Sequence, residues 1–144
     1  MKHPAHFIGE LTYGEMYKQT AGESMQFILE ISWQGNAFSG VSKDISGRGV
    51  SPDEATINGH LSGDSISYTK QYKRRHFIGA DLSTEIHEKP GFPILYKGKF
   101  NSDKNQYEGT WEIVKELNLL FIKLRWTYGK GTFWLKENCG SRTR

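Results

Sequence analysis

The sequence predicts an all-β fold, a single antiparallel up-and-down β-barrel of eight to ten strands. Three observations predict it. Bulky residues and glycine recur on alternate positions, as in Phe38-x-Gly40, Ile57-x-Gly59, Tyr96-x-Gly98-x-Phe100, Tyr107-x-Gly109-x-Trp111-x-Ile113 and Gly131-x-Phe133-x-Leu135. A period of two is the strand period, so one parity shares an interior, and glycine there lets a coiled sheet bend. Turn clusters then punctuate the chain at short intervals, and no stretch holds the three-and-four spacing of a helix behind an N-cap.

The elements follow in order. Residues 7–13 form a first strand. Residues 25–33 form a second, with Met25, Phe27, Leu29 and Ile31 on one parity. Gln34-Gly35-Asn36 turns the chain into a strand over 37–44, and the Gly- and Ser-rich residues 45–53 read as a loop. Strands over 55–61 and 65–73 flank Ser62-Gly63-Asp64. A weaker strand covers 75–82, and Glu88-Lys89-Pro90-Gly91-Phe92-Pro93 reads as a long loop or lid. Strands over 94–100 and 106–115 flank the polar loop of residues 101–105. The last two strands, 119–127 and 132–137, are expected to turn at Tyr128-Gly129-Lys130-Gly131. Tight hairpins throughout favour a meander over a Greek-key sandwich, and closure removes exposed edges. The inward set is expected to be Phe27, Leu29, Phe38, Ile57, Ile66, Tyr68, Tyr96, Trp111, Phe133 and Leu135, with Phe100 adding bulk. Trp134 points outward.

Composition narrows the function. A chain of 144 residues suits one domain, here residues 1–138, with 139–144 as a flexible C-terminal tail. Cys139 is the only cysteine, so no internal disulfide forms, and its polar surroundings give no reason for a reactive thiol. No apolar run approaches the ~20 residues of a membrane helix, and no signal core is seen. The expectation is a cytoplasmic protein with no membrane partner. Net charge is only +3. The one dense basic cluster, Lys70, Lys73, Arg74, Arg75 and His76, reads as a solvated turn, so no nucleic acid is expected.

Ile94-Leu95-Tyr96-Lys97-Gly98-Lys99-Phe100 followed by Gln106-Tyr107-Glu108-Gly109-Thr110-Trp111-Glu112-Ile113 resembles bacterial proteins of the calycin type. Ala55-Thr56-Ile57-Asn58-Gly59-His60 and Ser65-Ile66-Ser67-Tyr68-Thr69-Lys70-Gln71-Tyr72 fit the same pattern. Calycins group lipocalins, fatty-acid-binding proteins and avidins, and the resemblance implies a barrel that holds a small ligand. The chain departs from lipocalins in lacking Gly-x-Trp on its first strand, and from fatty-acid-binding proteins in lacking their helix pair.

Catalytic signatures are missing: no His-Glu-x-x-His, nucleophile elbow, phosphate loop or dinucleotide fingerprint. No catalytic residue, metal site or cofactor is assigned. Of the five histidines, His3 and His6 precede the first strand, His60 faces outward, His76 belongs to the basic turn, and His87 stands alone near the lid. The informative polar residue is Lys70, which shares the inward parity of Tyr68 and Tyr72. A buried ammonium needs a partner or water, so the expected place for Lys70 is the barrel mouth, with its stem packed and its head in solvent; a desolvated Lys70 inside the barrel is the alternative. The candidate ligand site is Lys70, Tyr72, Tyr96, Tyr68, Tyr13 and Trp111. It suits an apolar or aromatic molecule with an anionic group near Lys70, bound without catalysis. On that reading Lys70→Met leaves stability unchanged and weakens anionic ligands. Two alternatives stay open. One is an enzyme using Lys70 as acid, base or nucleophile; the other is an assembly module with a filled barrel. The outward Trp134 marks the surface where a homodimer would form.

Overall fold

A computed structural model describes residues 3–138. Its strands are β1 (His3–Tyr13), β2 (Ser24–Gln34), β3 (Ala37–Gly47), β4 (Ala55–Ser62), β5 (Ser65–Tyr72), β6 (Arg75–Ile78), β7 (Thr84–His87), β8 (Ile94–Asn101), β9 (Gln106–Leu119) and β10 (Ile122–Glu137). Eight of them close in the order β1-β10-β9-β8-β5-β4-β3-β2, and β6–β7 forms a separate two-stranded hairpin. Every ladder is antiparallel. Among the described residues no helix is long and apolar enough to cross a membrane. Cys139 and the expected tail lie outside the described residues.

The alternate-residue rhythm does what its period dictates. All ten residues of the expected inward set are buried. Gly98 faces Gly109 across β8–β9. A Cβ on Gly98 would lie 3.1 Å from the Phe133 ring, so bare backbone makes room for that ring. Phe100 departs from the expectation, at 37 % exposed. It lies at the rim, one pair from the β8–β9 turn, where its ring meets Tyr107 with centroids 5.1 Å apart.

The two ends of the barrel differ. Tight turns join β2–β3, β4–β5 and β8–β9 at one end. Every longer connection gathers at the other: a 3-10 helix (Glu15–Thr20) between β1 and β2, the β3–β4 loop, and the β6–β7 hairpin between β5 and β8. An eight-stranded barrel is just wide enough for its own side chains. At the tight-turn end they fill it: Tyr68 and Tyr96 stack 4.5 Å apart at 6°, and Phe38 and Phe133 pack edge-on against them.

Three expectations about the chain path are corrected. Residues 45–47 are strand, because a bulge at Ile45 lets β3 run on to Gly47. The weak strand over 75–82 is β6 ending at Ile78, followed by a turn and β7. The expected turn at Tyr128-Gly129-Lys130-Gly131 is continuous β10, and the chain reverses at Leu120-Phe121 instead. Gly131 serves close approach rather than turning: a Cβ there would overlap the Thr12 carbonyl and meet the Trp111 ring.

Candidate functional site

The open end contains a cavity of about 290 Å³ whose wall includes Tyr13, Tyr17, Lys70, Tyr72, Tyr96 and Trp111. Five of the six sequence-proposed site residues therefore meet in one place. Tyr68 sits a layer deeper, stacked beneath Tyr96, and is not in the wall.

Lys70 enters the interior because its cross-strand partners Ile57 and Ile94 both face inward. Its side chain is 1 % exposed, which corrects the expected mouth position with a solvated head. The partner it needs is Asp44, which sequence reasoning missed. Asp44 shares the parity of Phe38, Gly40 and Ser42, and the bulge at Ile45 sets it opposite Phe27. Lys70 Nζ stands 3.4 Å from Asp44 Oδ1 and 4.9 Å from the ring centres of both Phe27 and Tyr72. The Tyr72 hydroxyl donates to the carboxylate, at 2.8 Å from Oδ1 and 2.7 Å from Oδ2. The Ser51 backbone N–H donates to Oδ2 at 3.0 Å. The ion pair is thus sealed inside and neutralised by the protein itself. Desolvation holds the Lys70 ammonium below its ordinary range despite the opposing pull of Asp44.

The expected solvated basic turn is corrected too. Besides the buried Lys70, Arg74 makes a two-pronged contact to Asp53 at 2.8 Å and reaches Glu88 at 3.0 Å. The Arg75 guanidinium lies 3.9 Å above the Phe92 ring. His76 sets its ring edge-on to Tyr72, 4.3 Å between centroids, and joins the cavity wall, where burial depresses its pKa. Only Lys73 is exposed. The run of cations reads as solvated by composition, yet it anchors β6–β7 over the opening. Arg48 completes the closure, donating to the Leu82 carbonyl at 3.0 Å and pairing with Glu23 at 2.8 Å. The Tyr13 hydroxyl donates to the Arg48 carbonyl at 2.7 Å. His87 is exposed on β7 and outside the cavity wall.

Two hydroxyls in the aromatic stack, on Tyr68 and Tyr96, are buried without a hydrogen-bond partner. Among the described residues no three His, Cys, Asp or Glu side chains converge as metal ligands. Burial raises the phenols: Tyr17 is pushed up to about 12, and Tyr13, Tyr68, Tyr72 and Tyr96 are also raised. A phenol whose folded pKa exceeds its unfolded value of about 10 stabilises the fold fully below pH ~10, and that contribution disappears as pH rises through the folded value. The lowered Lys70 has the opposite sign, but it is one group against five. Alkaline titration is therefore expected to unfold the protein cooperatively, with most tyrosinate absorbance at 295 nm appearing together with loss of the strand circular-dichroism signal. Smooth ionisation of all tyrosines near pH 10 with the fold intact would contradict this arrangement.

Compared with protein-family models, curated proteins and solved structures, the chain matches none of them.

Proposed function

We propose that the protein is a calycin-type binding barrel that holds one small apolar or aromatic molecule in the cavity between Trp111, Tyr13, Tyr96 and the β6–β7 hairpin. The observation that carries this is the division of the interior. One half is packed solid with stacked rings, and the other keeps about 290 Å³ beneath the long connections. A dry apolar cavity of about 150 Å³ accepts benzene, so the space here suits one or two rings. The wall is mainly aromatic and aliphatic with a few polar atoms, the usual composition of a small-molecule site.

The polar atoms define the ligand further. Lys70 already has Asp44 as its counter-ion, so a ligand charge is not required to neutralise it. The Tyr96 hydroxyl lacks a partner and supplies a donor for one ligand acceptor, such as a carbonyl, phenolate or carboxylate. What supports binding over catalysis is that the Lys70 ammonium is already engaged by Asp44 and enclosed between the Phe27 and Tyr72 rings rather than presented to the cavity as a free amine.

The test is calorimetric titration with one- and two-ring aromatics bearing a single acceptor, on wild type, Tyr96→Phe and Tyr68→Phe. Each substitution removes an unpartnered buried hydroxyl, so neither is expected to lower stability. Tyr96→Phe is expected to weaken binding about tenfold, the equivalent of ~1.4 kcal/mol, while Tyr68→Phe binds as wild type does. Equal weakening in both variants would misplace the site. No binding by any of the three would favour the assembly module.

A further inference from the structure

The strands β9 and β10 run past the barrel. Beyond Ile113 and Gly131 neither strand continues its ladder with β8 or β1. The Val114 N–H still reaches the Pro93 carbonyl at 3.4 Å and Tyr128 stacks on Phe92, but the ladder over residues 114–127 is within the hairpin alone. Six cross-strand pairs, from Val114–Thr127 to Leu119–Ile122, make an arm roughly 20 Å long at ~3.3 Å per residue. At its apex Leu119 is 50 %, Leu120 99 %, Phe121 101 % and Ile122 61 % exposed. Four consecutive apolar residues thus stand in water where the chain turns.

Folding does not ask for them. Leu120 has φ 51°, a left-handed conformation that favours glycine or asparagine, and nothing among the described residues covers Phe121. Along β10 the apolar Ile122, Leu124 and Trp126 share one face behind the apex and Lys123 and Arg125 the other, and Tyr128 stacks on Phe92 at the base. Across the two strands Lys123 pairs with Glu116 at 2.8 Å and Arg125 with Glu112 at 2.7 Å, and Lys115 adds a further cation, so the arm stays net positive.

We infer that this apex inserts into the surface of an anionic lipid bilayer. Lys123 and Arg125 lie about 7–13 Å behind the tip at the strand rise, close to the ~5–10 Å depth to which interfacial segments bury their apolar side. Their cations, paired with Glu116 and Glu112 in the free protein, then turn to lipid phosphates, and Trp126 occupies the level that aromatic residues favour at a membrane–water boundary. A four-residue apex meeting its own copy falls far short of the ~800 Å² per partner of a stable dimer. A bilayer requires no matched surface. The absence of a spanning helix, on which the expectation of no membrane partner rests, is silent about a strand hairpin that only dips into lipid. The inference does not depend on what the cavity holds.

The full-length protein is floated with extruded vesicles of phosphatidylcholine alone and of phosphatidylcholine with phosphatidylglycerol at 1:1, with Trp fluorescence recorded in parallel. Binding is expected to the anionic vesicles, with a blue shift and at least tenfold weaker binding to phosphatidylcholine. The variant Leu120→Asn/Phe121→Asp is expected to lose at least tenfold in lipid affinity while its thermal midpoint equals or exceeds that of wild type. No flotation with the anionic vesicles, or equal flotation by the variant, would overturn the inference. So would a wild-type dimer in sedimentation velocity that the variant abolishes without any lipid binding, since the apex would then be a contact with a second copy.

Discussion

Asp44→Ala is expected to be among the most damaging single substitutions in this barrel, at about 3–5 kcal/mol, the usual cost of removing one partner of a buried ion pair. The reason is what remains. Lys70, 1 % exposed, would have to hold a desolvated charge with no carboxylate or give up its proton, each at a cost, and the Tyr72 hydroxyl and Ser51 N–H would lose their acceptor. Lys70→Met is expected to cost less, because Asp44 retains two donors and the methionine stem fills the same space. It should still destabilise, which reverses the sequence-based expectation that removing this charge leaves stability unchanged. Asp44→Leu/Lys70→Met together should recover most of the loss, since apolar replacement of a whole buried pair is often neutral or better. Urea unfolding of wild type, Asp44→Leu, Lys70→Met and Asp44→Leu/Lys70→Met closes a double-mutant cycle and gives the coupling. Additive losses in the double variant would show that the two residues do not form the pair described here.

How far the sequence carried the fold can be argued from particular residues. The inward parity was readable because packing in a closed barrel is periodic: Phe27, Tyr68, Tyr96 and Trp111 had to share an interior, and they do. Asp44 was on the same parity as Phe38 but stood at the end of a predicted strand. Only the bulge at Ile45, which no local pattern announces, keeps the strand going and turns the carboxylate toward Lys70. The last hairpin was misplaced for a related reason. Gly129 and Gly131 carry the usual mark of a turn, whereas Leu120-Phe121 carries none. In the structure Gly129 is bare because the Tyr17 hydroxyl lies against it, a tertiary demand invisible to local reading. The pairing of lid and loop by Arg48, Arg74 and Arg75 was equally hidden, since it joins residues tens of positions apart.

Trp111→Ala is the second large effect expected, again about 3–5 kcal/mol, the range for emptying a buried aromatic site. Trp111 is 3 % exposed, donates its indole N–H to the Thr132 carbonyl at 3.0 Å, and meets the Tyr13 ring edge-on at 5.8 Å. Trp134, on the outward parity of β10, is only half-buried, and its replacement by alanine should cost much less. Equal denaturant midpoints for the two variants would show the inward and outward assignments to be wrong. Because Trp111 also borders the cavity, its loss should enlarge the cavity rather than let the barrel collapse, as the rings below are already stacked. Added indole is therefore expected to raise the thermal midpoint of Trp111→Ala in a concentration-dependent way, by mass action on the folded state. The same indole should do less for Trp134→Ala, whose gap opens to solvent. Rescue confined to Trp111→Ala would tie the wall residue that holds the fold to the space in which a ligand is held. No rescue, with the midpoint fully lost, would mean that the neighbouring strands close the gap and that the cavity depends on this one ring.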